Sequence, residues 1–134
     1  MKCFVVEDSM AMRLEITGRL AQLPGLDVIG FASTCDAAVA AITTLLPDLV
    51  TLDIRLEQGT GLEVLSAIRR RLPGLTIIVL TNNADPMYRA RVLADGADFF
   101  FDKSSEFEAA IALCAQLGGR APSAGGAAPC RLTS

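Results

Sequence analysis

Short apolar runs alternate with longer amphipathic stretches along the whole of this chain. Cys3-Phe4-Val5-Val6 is the first run, and Leu26-Asp27-Val28-Ile29-Gly30-Phe31-Ala32 the second. Leu49-Val50-Thr51-Leu52, Ile77-Ile78-Val79-Leu80 and Phe99-Phe100-Phe101 follow. Unbroken apolar runs, rather than strict alternation, suit strands covered by helices on both faces. The stretches between them carry helical spacing. Met12, Ile16, Leu20 and Leu23 form one stripe, stopped by Pro24-Gly25. Val39, Ile42 and Leu46 form the next, stopped before Pro47. Thr60 and Glu63 predict a capping box ahead of Leu62, Leu65, Ile68 and Leu72, with Pro73-Gly74 as the stop. Asp85-Pro86 opens the fourth helix as N-cap and first helical residue, and Gly96 follows Val92 and Leu93 at its end. Ser105 and Glu108 predict a second capping box before Phe107, Ile111, Cys114 and Leu117.

Five strand–helix units in series predict an α/β fold with a parallel sheet and right-handed crossovers. For a sheet this small, the expectation is the flavodoxin-like (βα)5 doubly wound arrangement, strand order 2-1-3-4-5. Residues 1–117 make up the domain. Residues 118–134, rich in Gly, Ala and Pro, read as a disordered tail.

The polar residues that end the runs give this topology a chemical meaning. Glu7 and Asp8 end the first, Asp53 the third and Thr81 the fourth, and Lys103 lies just after the fifth. Each has an ordinary reading: Asp8 or Ser9 as a helix cap, Asp53 and Thr81 as turn residues, Lys103 as a solvated cation. Order 2-1-3-4-5 makes the first and third strands neighbours and brings all five side chains to one edge, where open α/β sheets bind ligands. Clustered carboxylates need a cation, and a small oxygen-rich site suits Mg²⁺. Asp53 can act there as an oxygen nucleophile toward phosphorus, with Lys103 and Thr81 stabilising the transferred charge.

Composition narrows the chemistry further. The chain has 134 residues, 51% of them hydrophobic, and a net charge of −3, which gives no argument for nucleic-acid binding. It has no histidine, which removes Ser-His and Cys-His nucleophile pairs and the common zinc sites. Cys3, Cys35, Cys114 and Cys130 show no C-x-x-C spacing and read as reduced thiols. No run approaches the roughly 18 apolar residues of a membrane span, and no signal peptide is visible. The expected setting is cytoplasmic, with no membrane partner. Gly59-Thr60-Gly61 lacks the third glycine of a dinucleotide fingerprint and reads as a tight turn. Arg69-Arg70-Arg71 reads as a helix end whose cations suit the macrodipole.

Several landmarks together are similar to one family. Val5-Val6-Glu7-Asp8-Ser9 with Arg13, Leu52-Asp53-Ile54, Leu80-Thr81-Asn82, Gly96-Ala97-Asp98 and Phe101-Asp102-Lys103-Ser104 resemble the receiver domain of two-component response regulators, over residues 1 to about 117. The resemblance implies Asp53 as phosphoacceptor and Asp8 as a direct Mg²⁺ ligand. Glu7 would act through water, and the backbone carbonyl of Arg55 would complete the ligands. Lys103 would pair with phosphoryl oxygens. Thr81 would be the switch hydroxyl and Phe100 the switch aromatic, moved by packing because it has no hydroxyl. Arg55 and Asn83 stand where side chains tune the phosphoaspartate lifetime. Lys103 is followed by Ser104 in place of the usual proline, so that bond is expected trans.

The implied function is a stand-alone phosphoacceptor module, not an enzyme beyond slow self-phosphorylation and self-dephosphorylation. Its partners would be a sensor histidine kinase or phosphotransfer protein and a downstream target protein. A homodimer through the fourth helix, fifth strand and fifth helix is a further partner it admits. The alternative is a haloacid-dehalogenase-type Mg²⁺-dependent phosphatase. That chemistry puts its nucleophile on the first strand with a second Asp two residues on, whereas position 55 here is Arg. A flavodoxin-like FMN protein would need a hydroxyl-rich phosphate loop after the first strand, and none is present.

Overall fold

The computed structural model describes residues 1–56, 58–82 and 85–120, apart from the side chain of Arg120. Its strands are β1 (Lys2–Val6), β2 (Asp27–Ala32), β3 (Leu49–Leu52), β4 (Thr76–Thr81) and β5 (Phe99–Asp102). Between and after them run α1 (Met10–Ala21), α2 (Cys35–Leu45), α3 (Gly61–Arg71), α4 (Pro86–Ala94) and α5 (Phe107–Arg120). The strands form one parallel sheet in the order β2-β1-β3-β4-β5, as the pattern predicts.

Alternation along each central strand splits the core into two layers. Phe4, Val6, Val50, Leu52, Ile77, Val79 and Phe100 face α2, α3 and α4. Cys3, Val5, Leu49, Ile78 and Leu80 face Ile16 and Leu20 of α1 and Ala110, Ile111 and Cys114 of α5. Burial pushes the Cys3 thiol up to about 11 and the Cys114 thiol to about 12, so both behave as small core hydrophobes. Cys130 lies outside the described residues. The edge strand β2 departs from the expectation of two covered faces. It is only partly buried, its Phe31 stands in solvent, and its register against β1 slips by one residue at Ile29.

The helix starts follow local chemistry. Ser9, Thr34, Thr60 and Asp85 each accept a backbone N–H of the first turn. Both halves of the Thr60–Glu63 capping box form. The Ser105–Glu108 box does not. The Glu108 carboxylate is held instead by Arg19 of α1 in a bidentate pair at 2.6 and 2.8 Å. The approach to α5 is closed by Asp102, whose Oδ1 accepts the Ser104 N–H and hydroxyl and whose carbonyl accepts the Glu106 N–H. α2 stops one residue early, because Leu46 takes the left-handed conformation at φ 51°. α5 runs three residues past the boundary placed at Leu117. Gly118 is buried there, and a side chain at that position would strike Leu26. The tail expected beyond it, residues 121–134, lies outside the described residues.

Candidate functional site

The carboxyl ends of β1, β3, β4 and β5 form a crevice at one edge of the sheet. Ladder bonds continue past the strand ends and set its walls. The Glu7 N–H donates to the Ala32 carbonyl at 2.9 Å, the Asp53 N–H to Val6 at 3.0 Å, and the Lys103 N–H to Thr81 at 2.9 Å. The side chains singled out from the sequence therefore converge. Carboxylate oxygens of Glu7, Asp8 and Asp53 all lie within 4.8 Å of one another. Asp8 is exposed at the mouth, while Glu7, Asp53 and Thr81 are buried.

Lys103 organises the interior. Its ammonium sits 2.7 Å from Glu7 Oε1 and 3.0 Å from Asp53 Oδ2. The other Glu7 oxygen, Oε2, accepts the Ser9 N–H at 3.1 Å, so both Glu7 oxygens are engaged. Asp53 Oδ1 accepts a longer bond, 3.3 Å, from the Arg55 N–H. Burial pushes the Glu7 carboxyl up to about 7, against the hydrogen bond from Lys103 and with the help of the Asp53 charge. For Lys103, burial pulls downward. The hydrogen bond to Glu7 and the charges of Asp53 and Glu7 together outweigh it, and the ammonium is held above its ordinary value.

The loop after β3 is shaped to hold Asp53 still. The Gly61 N–H reaches back to the Ile54 carbonyl at 2.6 Å, and Arg55 bridges to Thr60. A side chain on Gly61 would run into the Asp53 carbonyl, so α3 can begin against the site only with glycine there. The Lys103–Ser104 bond is trans. Asn83 lies outside the described residues.

Phe100 is buried on the α4 side of the sheet, and the Arg89 guanidinium lies 4.9 Å above its ring. Arg89 and its ion-pair partner Glu106, 2.7 Å away, were not legible as site residues. Arg89 sits on α4 and Glu106 in the bend before α5, and only the tertiary fold pairs them. Arg13 reaches the Glu7 carbonyl at 3.4 Å and stacks over Phe31 at 4.4 Å, which fixes the turn bearing the two acidic residues.

The donor set fits a hard cation: three carboxylates close enough to share one ion, with oxygen ligands alone. No helix among the described residues is long and apolar enough to cross a membrane.

The profile of a family described as response regulator receiver domain matches residues 3–114. Protein-glutamate methylesterase/protein-glutamine glutaminase 4 of Geobacter metallireducens is 40% identical over 84 residues, 63% of this chain and 24% of that protein. Response regulator GacA of Pseudomonas aeruginosa is 28% identical over 116 residues, 87% of this chain and 54% of that protein. The chain thus spans 24% and 54% of the length of these two curated relatives. Among solved structures, the response regulator domain of Thermotoga maritima CheB superposes with a TM-score of 0.78 at 26% identity, covering 90% of this chain and 95% of that one.

Proposed function

The chain belongs to the response regulator receiver domain family of two-component signalling, and from that premise we propose that Asp53 is its phosphoacceptor. The observation that carries this reading is the grip on Asp53. It is buried at the end of β3, 3.0 Å from the Lys103 ammonium and within 4.8 Å of two further carboxylates. In the transfer, an Asp53 oxygen bonds to phosphorus as the bond from phosphorus to the donor's imidazole nitrogen breaks. The electron pair leaves with that nitrogen. Lys103 then meets the phosphoryl oxygens, and Thr81 offers its hydroxyl to one of them.

Mg²⁺ would supply positive charge to the transferring group, held by Asp8, Asp53 and the Arg55 carbonyl. Glu7 acts through water in this scheme, which agrees with its two oxygens already serving Lys103 and Ser9. The donor is a sensor histidine kinase or a phosphotransfer protein. The output is a changed surface on α4, β5 and α5, read by a downstream protein or by a second copy of the chain. The chain is in this view a phosphoacceptor and not an enzyme acting on a separate substrate. The dehalogenase-type phosphatase alternative finds no support, since the held aspartate follows β3 rather than the first strand and Arg55 occupies the position its second acid would need.

Intact mass after incubation with Mg²⁺ and acetyl phosphate tests this. Wild type gains one phosphoryl mass, and Asp53→Asn and Asp8→Ala do not. Full labelling of Asp53→Asn at another residue would overturn the assignment.

A further inference from the structure

Helix α4 is lightly anchored, and its two ends are held in different ways. Val92 is its one fully buried residue, and Met87 stands out in solvent. Past its C-terminal end, Arg69 of α3 gathers the surrounding backbone. Its Nε donates to the Gly96 carbonyl at 2.9 Å. One terminal nitrogen donates to the carbonyls of Pro73 and Leu75 at 2.9 and 2.8 Å, and the other pairs with Asp98 at 2.9 Å. Asp98 in turn accepts the Ile77 N–H at 2.8 Å. That end is pinned to α3 and β4.

Nearer the N-terminal end, the tether is of another kind. Arg89 pairs with Glu106 at 2.7 Å while covering the Phe100 ring. The same Glu106 oxygen accepts the Asp102 N–H at 2.9 Å, and the Glu106 N–H donates to the Asp102 carbonyl at 2.7 Å. Asp102 precedes Lys103, whose ammonium holds Asp53. A continuous line of bonds thus joins Asp53 to α4 through Lys103, Asp102, Glu106 and Arg89. Both partners of the Arg89–Glu106 pair are 38% exposed, so it contributes little to stability and can open without large cost.

We propose that Arg89 is a positioning residue that couples Lys103 to α4, a second route beside that of Thr81 and Phe100. This rests on the reading of Asp53 as phosphoacceptor. A phosphoryl group presents new acceptors to Lys103 and draws it from Glu7. The end of β5 moves with Lys103, and Glu106 follows because two hydrogen bonds tie it to Asp102. Arg89 follows Glu106 and slides from the Phe100 ring, and α4 swings at its N-terminal half about the end pinned by Arg69. The two arrangements are Arg89 over Phe100 and Arg89 displaced, and the phosphoryl group favours the second.

The test is amide NMR on the full chain with Mg²⁺ and beryllofluoride as phosphoryl stand-in. In wild type the amides of Ile54 and Arg55 shift, and so do those of residues 87–89. Arg89→Ala and Arg89→Met each keep the shifts at Ile54 and Arg55 but make those in α4 about a third smaller. Arg89→Lys, which keeps a cation opposite Glu106 and leaves the Glu106 bonds to Asp102 in place, restores most of the loss. Arg89→Met keeps the helix propensity and an unbranched side chain while it removes the bond to Glu106, so it stands as the test if Arg89→Ala loosens α4. An α4 response in both Arg89→Ala and Arg89→Met equal to or larger than wild type overturns the proposal. So does an Arg89→Lys response no better than those two variants. Absence of shifts at Ile54 and Arg55 in wild type overturns the phosphoacceptor reading, and this proposal with it.

Discussion

Lys103 and Glu7 form a 2.7 Å ion pair in which the ammonium is 8% exposed and the carboxylate 1%. Two charges so far from water are costly to hold, and a carboxylate under that strain takes up a proton more readily than one in solvent. The pair therefore makes the metal-free site sensitive to pH at neutrality.

Glu7 gives that sensitivity a sign. Its carboxyl titrates at about 7 in the folded protein, against an ordinary value of 4.5. Between these values the folded state binds more protons than the unfolded chain. The contribution of Glu7 to stability is then greatest at low pH and falls as pH rises toward 7, by roughly 3 kcal/mol. Urea melts in EDTA across that interval, compared between wild type and Glu7→Gln, measure it. Wild type should lose ground to the variant as pH rises. A difference constant with pH would mean that Glu7 is ionised throughout.

Arg69 should be the costliest surface arginine to remove. Its guanidinium spans the carbonyls of Gly96, Pro73 and Leu75 and the Asp98 carboxylate at once. Arg69→Ala is expected to cost roughly 3 kcal/mol, and Arg69→Lys to recover little, because a point charge cannot span those acceptors. Gly96→Ala should also destabilise, since φ there is 120° and the new methyl would meet the Arg69 stem. Thermal melts decide this, and an Arg69→Lys protein that melts with wild type would refute it.

The contrast between Arg69 and its neighbours shows what the sequence could and could not tell. The strands and the acidic residues at their ends were legible because a buried parallel strand needs an unbroken apolar run, and the run has a visible end. The Thr60–Glu63 box was legible because it is local. The Ser105–Glu108 motif has the same letters, but Arg19, distant in sequence, takes the glutamate. Arg69 looks like Arg70 and Arg71 until two turns fold beneath it. Gly118-Gly119 looks like a helix stop until Leu26 demands a residue without a side chain. Arg89 and Glu106 acquire a role only once β5 lies beside α4. Local chemistry and periodicity were readable, and partners fixed by tertiary contact were not.

Thr51 offers a route to a more stable protein. It lies in the middle of the sheet, level with Val5 and Ile78, and its hydroxyl is buried with no protein partner among the described residues. Thr51→Val keeps the shape and removes the group, and should raise stability by about 1 kcal/mol. A lower melting temperature in the variant would show that the hydroxyl is satisfied in solution.

Thr81 should carry the larger share of the switch. It is buried at the end of β4, level with Asp102, and its carbonyl holds the Lys103 N–H. A phosphoryl oxygen on Asp53 would draw its hydroxyl inward, and the space vacated would let Phe100 settle deeper beneath α4. Phe100 is already buried under Arg89, so the shift is one of depth and of the helix above it, not a swing from solvent. The chain has no tryptophan, so amide NMR with beryllofluoride is the readout. Thr81→Ala should still accept phosphoryl, because Asp53, Lys103 and the three carboxylates stay in place. It should lose most of the shifts in α4 and β5 and keep those at Ile54 and Arg55. The residue of α4 response that survives should vanish when Arg89→Ala is added, because the second route is then cut as well. If Thr81→Ala responds like wild type, or if wild-type shifts stay confined to the crevice, Thr81 does not carry the switch in this protein.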